Sequence, residues 1–580
     1  MAAPQFRLYS ERAAKFEPKF ETSLGTTTMA PPPPPKVKAT GGHGVENIFE
    51  DYCANSSIHG FKYFVGAHRT LAEKAWWVIV CILSVYFCGQ LIETVYEKWR
   101  RSPVVVTFAE KLTPVYDVPF PAVTVCPVTK VKMATLNFTA AYQALTYGDN
   151  DSMLTDEVID QVLAMVQVCD FSFSNLPFNH TYDDNLVSII QRMAIPFGEM
   201  FLMCVWKNRQ VNCSELFKPT LTESGICYTF NGMSAEELLR TDQFHQEFEH
   251  LGETRSAANW TMEDGYHPRV GVSTYPRRVL SAGAQSGMLI FLKTDKADMD
   301  FLCGNSFQGY QVQLHSPNTC PQISTQNIRV PLNHAFQVRV EPFMITTTAA
   351  VRSYSVDNRL CYYSHERYLR FFAIYTKRSC EVECLANFTL YLCGCVHFSM
   401  PRPAGVRICG LGKKKCVEEA EIYLQEQAMG GAVESGGSIP RVLSSCRCLP
   451  SCTFLQYNAE ISQSPFEWRR LTDAMGLFPN ELKNAGLSTM NIYFKESQFI
   501  TIKRNQLFEL NDFIANCGGL LGLFMGVSLL SIVEVLYFFT LKPLVNYFWR
   551  REKRPTVSTV APSDPHTPSY ALRTFLRDAA

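Results

Sequence analysis

Polar and apolar positions are interspersed along most of this chain, but charge almost vanishes in two stretches. Gly518 to Leu541 reads GGLLGLFMGVSLLSIVEVLYFFTL, and its only charge is Glu534. About 20 predominantly apolar residues are enough to cross the hydrocarbon core of a bilayer, so this stretch is expected to span a membrane. Ala75 to Val95 (AWWVIVCILSVYFCGQLIETV) is a second candidate, with Trp76 and Trp77 as interfacial anchors and with Gln90 and Glu93 in its last turns. Gly518, Gly522 and Gly526 recur every fourth residue, which puts them on one helix face suited to close packing. Gly526-Val527-Ser528 in mid-span adds a second expectation, an unwound turn, which is tolerated at membrane depth only where it is buried in protein or faces water. Carbonyls freed there can replace part of a cation's hydration shell. Glu534 would be costly against lipid and is expected to face an aqueous path. Its plainer alternative is snorkelling, because only seven residues of the span follow it.

Between the two apolar runs the pattern is that of a folded domain. Pro103 to Phe108 and Pro119 to Cys126 are valine-rich segments bounded by proline and predict strands. Leu154 to Val168 has helical spacing, with Val158, Val162, Leu163 and Val166 on one side, and Asn491 to Ile502 alternates as a strand running to the second span. The mixture predicts an α+β body, with a Gly/Ser loop near Gly430 to Ser438 and no internal repeats. Residues 1–45 include five consecutive prolines, Pro31 to Pro35, and few aliphatics, a composition expected to stay disordered. The N-terminus lacks the apolar run of a cleavable signal peptide, so the first span is expected to serve as the membrane-entry signal.

Arg550, Arg551, Lys553 and Arg554 follow the second span and place the C-terminus in the cytosol. Basic residues flank the first span on both sides and do not orient it, but two spans return both termini to the cytosol. The expected division is therefore a cytosolic N-terminus over 1–70, a first transmembrane helix over 71–97, an extracellular domain over 98–513, a second transmembrane segment over 514–545 and a cytosolic tail over 546–580. Six N-x-[ST] sequons, at Asn137, Asn150, Asn179, Asn212, Asn259 and Asn387, fall in the extracellular part. A further sequon at Asn55 is expected to stay cytosolic and unmodified.

Cysteine supports the same compartment, since 17 of the 21 cysteines lie between Cys126 and Cys452, a density that suits an oxidising environment. Cys380 and Cys384 face one way on a helix, and Cys446 and Cys448 face one way on a strand, so the two elements can be joined twice. With Cys361, Cys393, Cys395, Cys409, Cys416 and Cys452 this allows a nested set, 361 with 452, 380 with 448, 384 with 446, 393 with 416 and 395 with 409, although spacing alone does not fix connectivity. A zinc site is the rival reading. C-x-C pairs lack the usual ligand spacing, so no metal is expected. Lysine plus arginine equals aspartate plus glutamate at 54 each, which gives no reason to expect nucleic acid as a partner. No phosphate loop, nucleophile motif or H-E-x-x-H is present, so an enzyme is not expected.

Several motifs coincide along the chain. They are Ser56-Ser57-Ile58-His59-Gly60, Phe120 to Pro127 (FPAVTVCP), Gly225 to Asn231 (GICYTFN) and Gly522 to Ser528 (GLFMGVS). With the cysteine set, they resemble the degenerin/epithelial sodium channel family over about residues 50–545. Asn259 to Tyr266 (NWTMEDGY), Tyr275-Pro276-Arg277-Arg278 and His315-Ser316-Pro317 resemble its pickpocket branch.

The resemblance implies a trimer, homomeric or with related subunits, whose pore is lined by the second span. It also implies a clenched-hand extracellular domain and passive, amiloride-sensitive sodium conduction across the plasma membrane. Sodium is then the permeant species, no cofactor is implied, and an extracellular stimulus or ligand is left unnamed. Gly526-Val527-Ser528 matches the family's G-x-S selectivity filter, and His59-Gly60 its cytosolic gating pair. Ala515 falls at the degenerin position and Gly522 at the position tied to amiloride sensitivity. The resemblance also pairs Cys126 with Cys227 and Cys204 with Cys213.

Asn516-Cys517 and Asn358 depart from the acid-sensing members, so proton gating is not implied. Cys169, Cys303 and Cys320 exceed the family pairs, and their odd number leaves at least one free or joined to another chain. A non-conducting or obligately heteromeric surface receptor is the alternative, and it gives no reason for Gly-Val-Ser or Glu534 inside a span.

Overall fold

The structure, a computed structural model, describes residues 45–65, 69–101, 104–147, 155–169, 180–245, 260–303, 307–428, 446–476, 482, 484–507 and 509–552. The expectations for residues 1–44, the Gly/Ser loop near 430–438, the tail from 553 and the sequons at Asn150, Asn179 and Asn259 fall outside the described residues. The chain forms two compact units, one from residues 1–90 with 518–580 and the other from 91–517.

The larger unit is built on two sheets. The first runs in the order Val104–Phe108, Ile502–Gln506, His334–Thr347, Ala485–Phe494, Met288–Asp295, Phe201–Trp206 and Arg209–Val211, with Phe454–Pro465 paired antiparallel along the long strand His334–Thr347. The second runs Ile328–Pro331, Gly309–His315, Ala122–Pro127, Gly225–Phe230 and Phe217–Thr222. Alternation explains the first sheet: Met288, Ile290 and Leu292 point inward, and Phe336, Val338 and Val340 do the same between exposed Gln337, Arg339 and Glu341. Ala122–Pro127 is buried throughout, as its unbroken apolar run requires. Side chains of both sheets share one core, in which Val123, Val125, Phe230 and Tyr310 meet Ile290, Val338, Met490 and Phe494.

Phe138–Tyr147, Asp156–Val168 and Leu186–Met193 form a helical layer with its own core. The expected helix begins two residues late, at Asp156. There the Thr155 hydroxyl accepts from the Val158 amide, an N-cap that opens the helix.

Two further helices, Lys377–Cys393 and Lys414–Ala428, are held by a run of crosslinks. Disulfides join Cys361 to Cys452, Cys380 to Cys448, Cys384 to Cys446, Cys393 to Cys416 and Cys395 to Cys409. Cys126 pairs with Cys227 and Cys204 with Cys213. The partners of Cys380 and Cys384 do not sit on a strand: residues 446–450 form no sheet pairing, and the Leu449 amide turns back to the Arg447 carbonyl at 3.1 Å. One-turn spacing on the helix matched by two-residue spacing on any extended chain is enough for both bonds. The three additional cysteines resolve into a Cys169–Cys303 disulfide and a free Cys320.

The expected single strand over Asn491 to Ile502 is divided among three strands. Ala485–Phe494 pairs parallel with Ala335 to Val340, the chain leaves the sheet at Lys495, Gln498–Phe499 pairs with Thr113–Pro114, and Ile502–Gln506 rejoins the same long strand at Ile345 to Thr347. The break coincides with four consecutive polar residues, Lys495 to Gln498, which interrupt the alternation. Ile502–Gln506 also pairs antiparallel with Val104–Phe108, and Trp99 stacks on Phe513 with ring centroids 5.4 Å apart.

Three motifs from distant parts of the chain meet at Asn231. Its side-chain amide donates to the carbonyls of Phe120 and Arg277, and its carbonyl accepts from the Arg277 amide. His315 is buried, with Nε2 2.9 Å from the Thr124 hydroxyl. Burial holds its pKa down to about 4, so it stays neutral at physiological pH. These motif residues hold the fold and do not form a reactive site.

Candidate functional site

The site lies in the smaller unit and is built on the apolar stretches. Leu71–Arg101 is one continuous helix, of which Leu71–Arg100 is long and apolar enough to span a membrane, with mean hydropathy 2.0 over its best window. The C-terminal stretch is broken. Leu510–Met525 and the helical run from Leu529 to Val545 meet at a bend of 72°, and the pair counts as one span only if the break lies within it.

Gly526 makes the break. Its φ of +68° is left-handed, a conformation that glycine adopts without a Cβ penalty and that commonly ends helices. The Gly526 amide still reaches the Gly522 carbonyl at 2.9 Å, but the Val527 amide turns back to Leu521 at 3.3 Å. Ser528 is extended and starts the next helix. Its hydroxyl accepts from the Ser531 amide at 3.3 Å while its own amide donates to the Ser531 hydroxyl at 3.1 Å, a reciprocal N-cap.

The segment before the first span seats against this break. The His59 amide donates to the Met525 carbonyl at 3.0 Å, and the His59 ring occupies the space beside Gly526, where an added Cβ would come within 1.6 Å of Nδ1. Ser57 extends the contact. Its amide donates to Glu534 Oε2 at 3.0 Å, and its hydroxyl lies 2.8 Å from that of Ser531. Gly60 turns the chain at φ +94°, where a Cβ would meet Cys81 Sγ at 2.7 Å, and Tyr63 then stacks on Trp77 at 4.2 Å. Ser84 closes the opposite side, its hydroxyl donating to the Phe524 carbonyl at 2.8 Å. Behind the loop, Val45–Asn55 is helical and puts Tyr52 against Phe538 and Phe539, while Asp51 pairs with Lys542.

The structure thus brings His59, Gly60, Gly526, Val527, Ser528 and Glu534 into one place. Glu534 is half-buried and accepts from the Ser57 backbone amide. Gly522 has no close neighbour beyond the Val527 carbonyl, 3.8 Å from where its Cβ would stand, and Gly518 has none within 4 Å. Among the described residues, no other helix packs on the Gly518 and Gly522 face. Ala515 is exposed on Leu510–Met525.

Sequence reasoning missed Ser57, Ser531 and Ser84. Ser528-x-x-Ser531 is a legible cap signal; Ser57 lies in the motif Ser56 to Gly60, which marks the segment but not its partner, and Ser84 acts on a residue more than 400 positions away. Of the described sequons, Asn137, Asn212 and Asn387 are all exposed. The side-chain oxygen of Asn137 accepts from the Ala140 amide at the start of Phe138–Tyr147, and that of Asn212 from the Ser214 amide at the start of the short helix Cys213–Leu216.

Comparison with known proteins gives the family. A family profile described as "Amiloride-sensitive sodium channel" matches residues 52–538, from the helix that carries Tyr52 to Phe538 beneath it. Pickpocket protein 28 of Drosophila melanogaster is 27% identical over 509 residues, covering 85% of this chain and 78% of its own. Pickpocket protein 11 of the same fly is 23% identical, covering 88% and 80%. Acid-sensing ion channel 2 of Rattus norvegicus is 22% identical, covering 83% and 84%. With the family's pattern running from the loop beside the break through the disulfide-rich body to the broken helix, the chain is a member of the amiloride-sensitive sodium channel family and is related to its pickpocket proteins.

Proposed function

We propose that three copies of this chain, or copies with related subunits, surround an axis in the plasma membrane and form a sodium-selective, amiloride-sensitive cation channel. Two helical spans per chain do not enclose a water-filled path, so conduction requires several copies. The observation that carries the reading is the 72° break at Gly526-Val527-Ser528, whose extended backbone supplies carbonyls outside the regular helical ladder. Repeated around an axis, such carbonyls replace part of the ion's hydration shell. Sodium is the permeant species and moves passively, driven by about 2.3 kcal/mol per charge for each 100 mV. Both termini are cytosolic.

His59 and Gly60 act as the gating pair because any movement of their loop is felt directly at Met525 and Gly526. Ala515 acts at the outer half of the same helix, and Gly522 lies between them as the blocker position. A stimulus that favours one arrangement of the extracellular body is passed along Ile502–Gln506, the strand just before Leu510–Met525. Expression in oocytes, alone and with related subunits, tests the proposal. An inward sodium current abolished by amiloride is expected. A chain that reaches the surface yet carries no current in any combination would instead be a non-conducting receptor, and the proposal would fail.

A further inference from the structure

The extracellular body encloses a cavity of about 1210 Å³, bounded by the helical layer, the five-stranded sheet and the disulfide-linked helices. Pockets for small organic ligands span about 300 to 1,000 Å³, so the space is ample. Six lysine and arginine side chains line it against four glutamates. Most of these charges are already engaged, since Glu381 is paired with Lys377 and Arg378, Lys414 with Glu418 and Arg447 with Asp357, and Glu223 accepts from the Ser324 amide at 2.7 Å.

Lys130 stands out among the cations. It is half-buried at the cavity wall and donates to the Pro127 carbonyl at 2.7 Å. An ammonium group has three donors, and among the described residues no other hydrogen bond or ion pair occupies Lys130. Burial lowers its pKa to about 8, with Glu223 opposing the shift, so it remains mostly charged at neutral pH. Arg329 also lines the cavity and is paired with no carboxylate among the described residues; its guanidinium lies 5.6 Å from the centre of the Phe307 ring. Gln322 adds a buried side-chain oxygen without a partner. The opposite wall is apolar, with Leu239, Phe372 and Val382 contributed by a separate hydrophobic cluster.

We propose that this cavity binds an amphipathic organic anion, its head group received by Lys130 and its apolar portion lying against Leu239, Phe372 and Val382. Lys130 and Arg329, the two lining cations that no carboxylate pairs with among the described residues, set the sign of the ligand. The two-sided lining sets its amphipathic character, because a bare inorganic anion gains nothing from the apolar wall.

The cavity carries its own reporter. Cys320 is the one cysteine between Cys126 and Cys452 outside a disulfide, and it lines the same space. Burial pushes its thiol up to about 11, so alkylation by neutral N-ethylmaleimide is slow and sensitive to occlusion. The full-length chain in lipid nanodiscs is labelled with N-ethylmaleimide, and modification of the Cys320 peptide is followed by mass spectrometry with octanesulfonate as the probe.

Saturating octanesulfonate is expected to slow labelling more than tenfold, whereas octyltrimethylammonium and methanesulfonate at the same concentration leave it unchanged. Lys130→Gln removes a charged donor and raises the half-protecting concentration about tenfold. Arg329→Gln, a change at an exposed side chain, raises it a few-fold and serves if Lys130→Gln does not fold. Equal protection by the cationic or the short probe overturns the proposal, as does an unchanged half-protecting concentration in the variants that fold. No current is measured, so the result stands apart from the channel reading.

Discussion

Replacing Gly526 with alanine tests the contact between the loop and the break. At φ +68° an alanine carries about 1–2 kcal/mol of left-handed strain. The added Cβ also falls 1.6 Å from His59 Nδ1, so the ring must leave. Withdrawal of the loop breaks the bonds from the His59 amide to Met525, from the Ser57 amide to Glu534 and between the Ser57 and Ser531 hydroxyls. At about 1 kcal/mol for each neutral bond and about 1.5–3 kcal/mol for the one to the carboxylate, the total is on the order of 5 kcal/mol.

His59→Gly removes the ring and leaves room for the alanine. In that background Gly526→Ala is expected to cost only the backbone strain, about 1–2 kcal/mol. Thermal unfolding of the detergent-solubilised chain, followed by size-exclusion fluorescence across the four-member mutant cycle, measures the coupling. Equal destabilisation by Gly526→Ala with and without His59 would refute the reasoning.

Other substitutions probe other levels of the fold. Ala515→Phe puts bulk on an exposed face of Leu510–Met525 and is expected to raise resting amiloride-sensitive current in oocytes without lowering surface expression. Arg359 is buried, pairs with Glu366 and donates to the carbonyls of Cys361, Arg352 and Tyr354; Arg359→Ala leaves that network unpaired and is expected to cost about 3–5 kcal/mol, read as a lower unfolding temperature. The double replacement Cys384→Ser with Cys446→Ser removes one crosslink and is expected to cost about 2–4 kcal/mol, measured the same way. Lys130 has its folded pKa lowered to about 8, so burying its charge penalises folding fully below pH 8, and the penalty fades as pH rises toward the unfolded value of about 10.4. Lys130→Met is therefore expected to unfold at a higher temperature than wild type at pH 7, with the advantage shrinking by pH 10.

Much of the site is legible in the sequence because its signals are local. A glycine followed by a cap-forming serine inside an apolar run announces a break wherever the helix sits, and Gly526 and Ser528 form one. The seat of His59 is not legible in this way. It depends on a contact between residues 467 positions apart, and only the resemblance of Ser56 to Gly60 to a known motif singles it out. Glu534 shows a limit of burial arguments: its cost against lipid is predictable, but its partner, the Ser57 amide, belongs to a segment with no apolar signature. The strand expected over Asn491 to Ile502 fails for a different reason. Lys495-Glu496-Ser497-Gln498 puts four polar residues in a row where the chain leaves the sheet, and that run breaks the alternation a single strand requires. For Cys169, Cys303 and Cys320, counting predicts an odd thiol, but only three-dimensional proximity selects Cys320.

The most direct measurement is the reversal potential of the amiloride-sensitive current with sodium outside and potassium inside, compared between the native chain and Ser528→Gly. Glycine keeps the N-cap to within a few tenths of a kcal/mol while deleting the hydroxyl at the break. The account predicts a native reversal potential near that of a sodium electrode and a clear negative shift in the variant as potassium gains access. An unshifted reversal potential, in a variant that reaches the surface and still carries the current, would contradict the assignment of Gly526-Val527-Ser528 as the ion-selecting element.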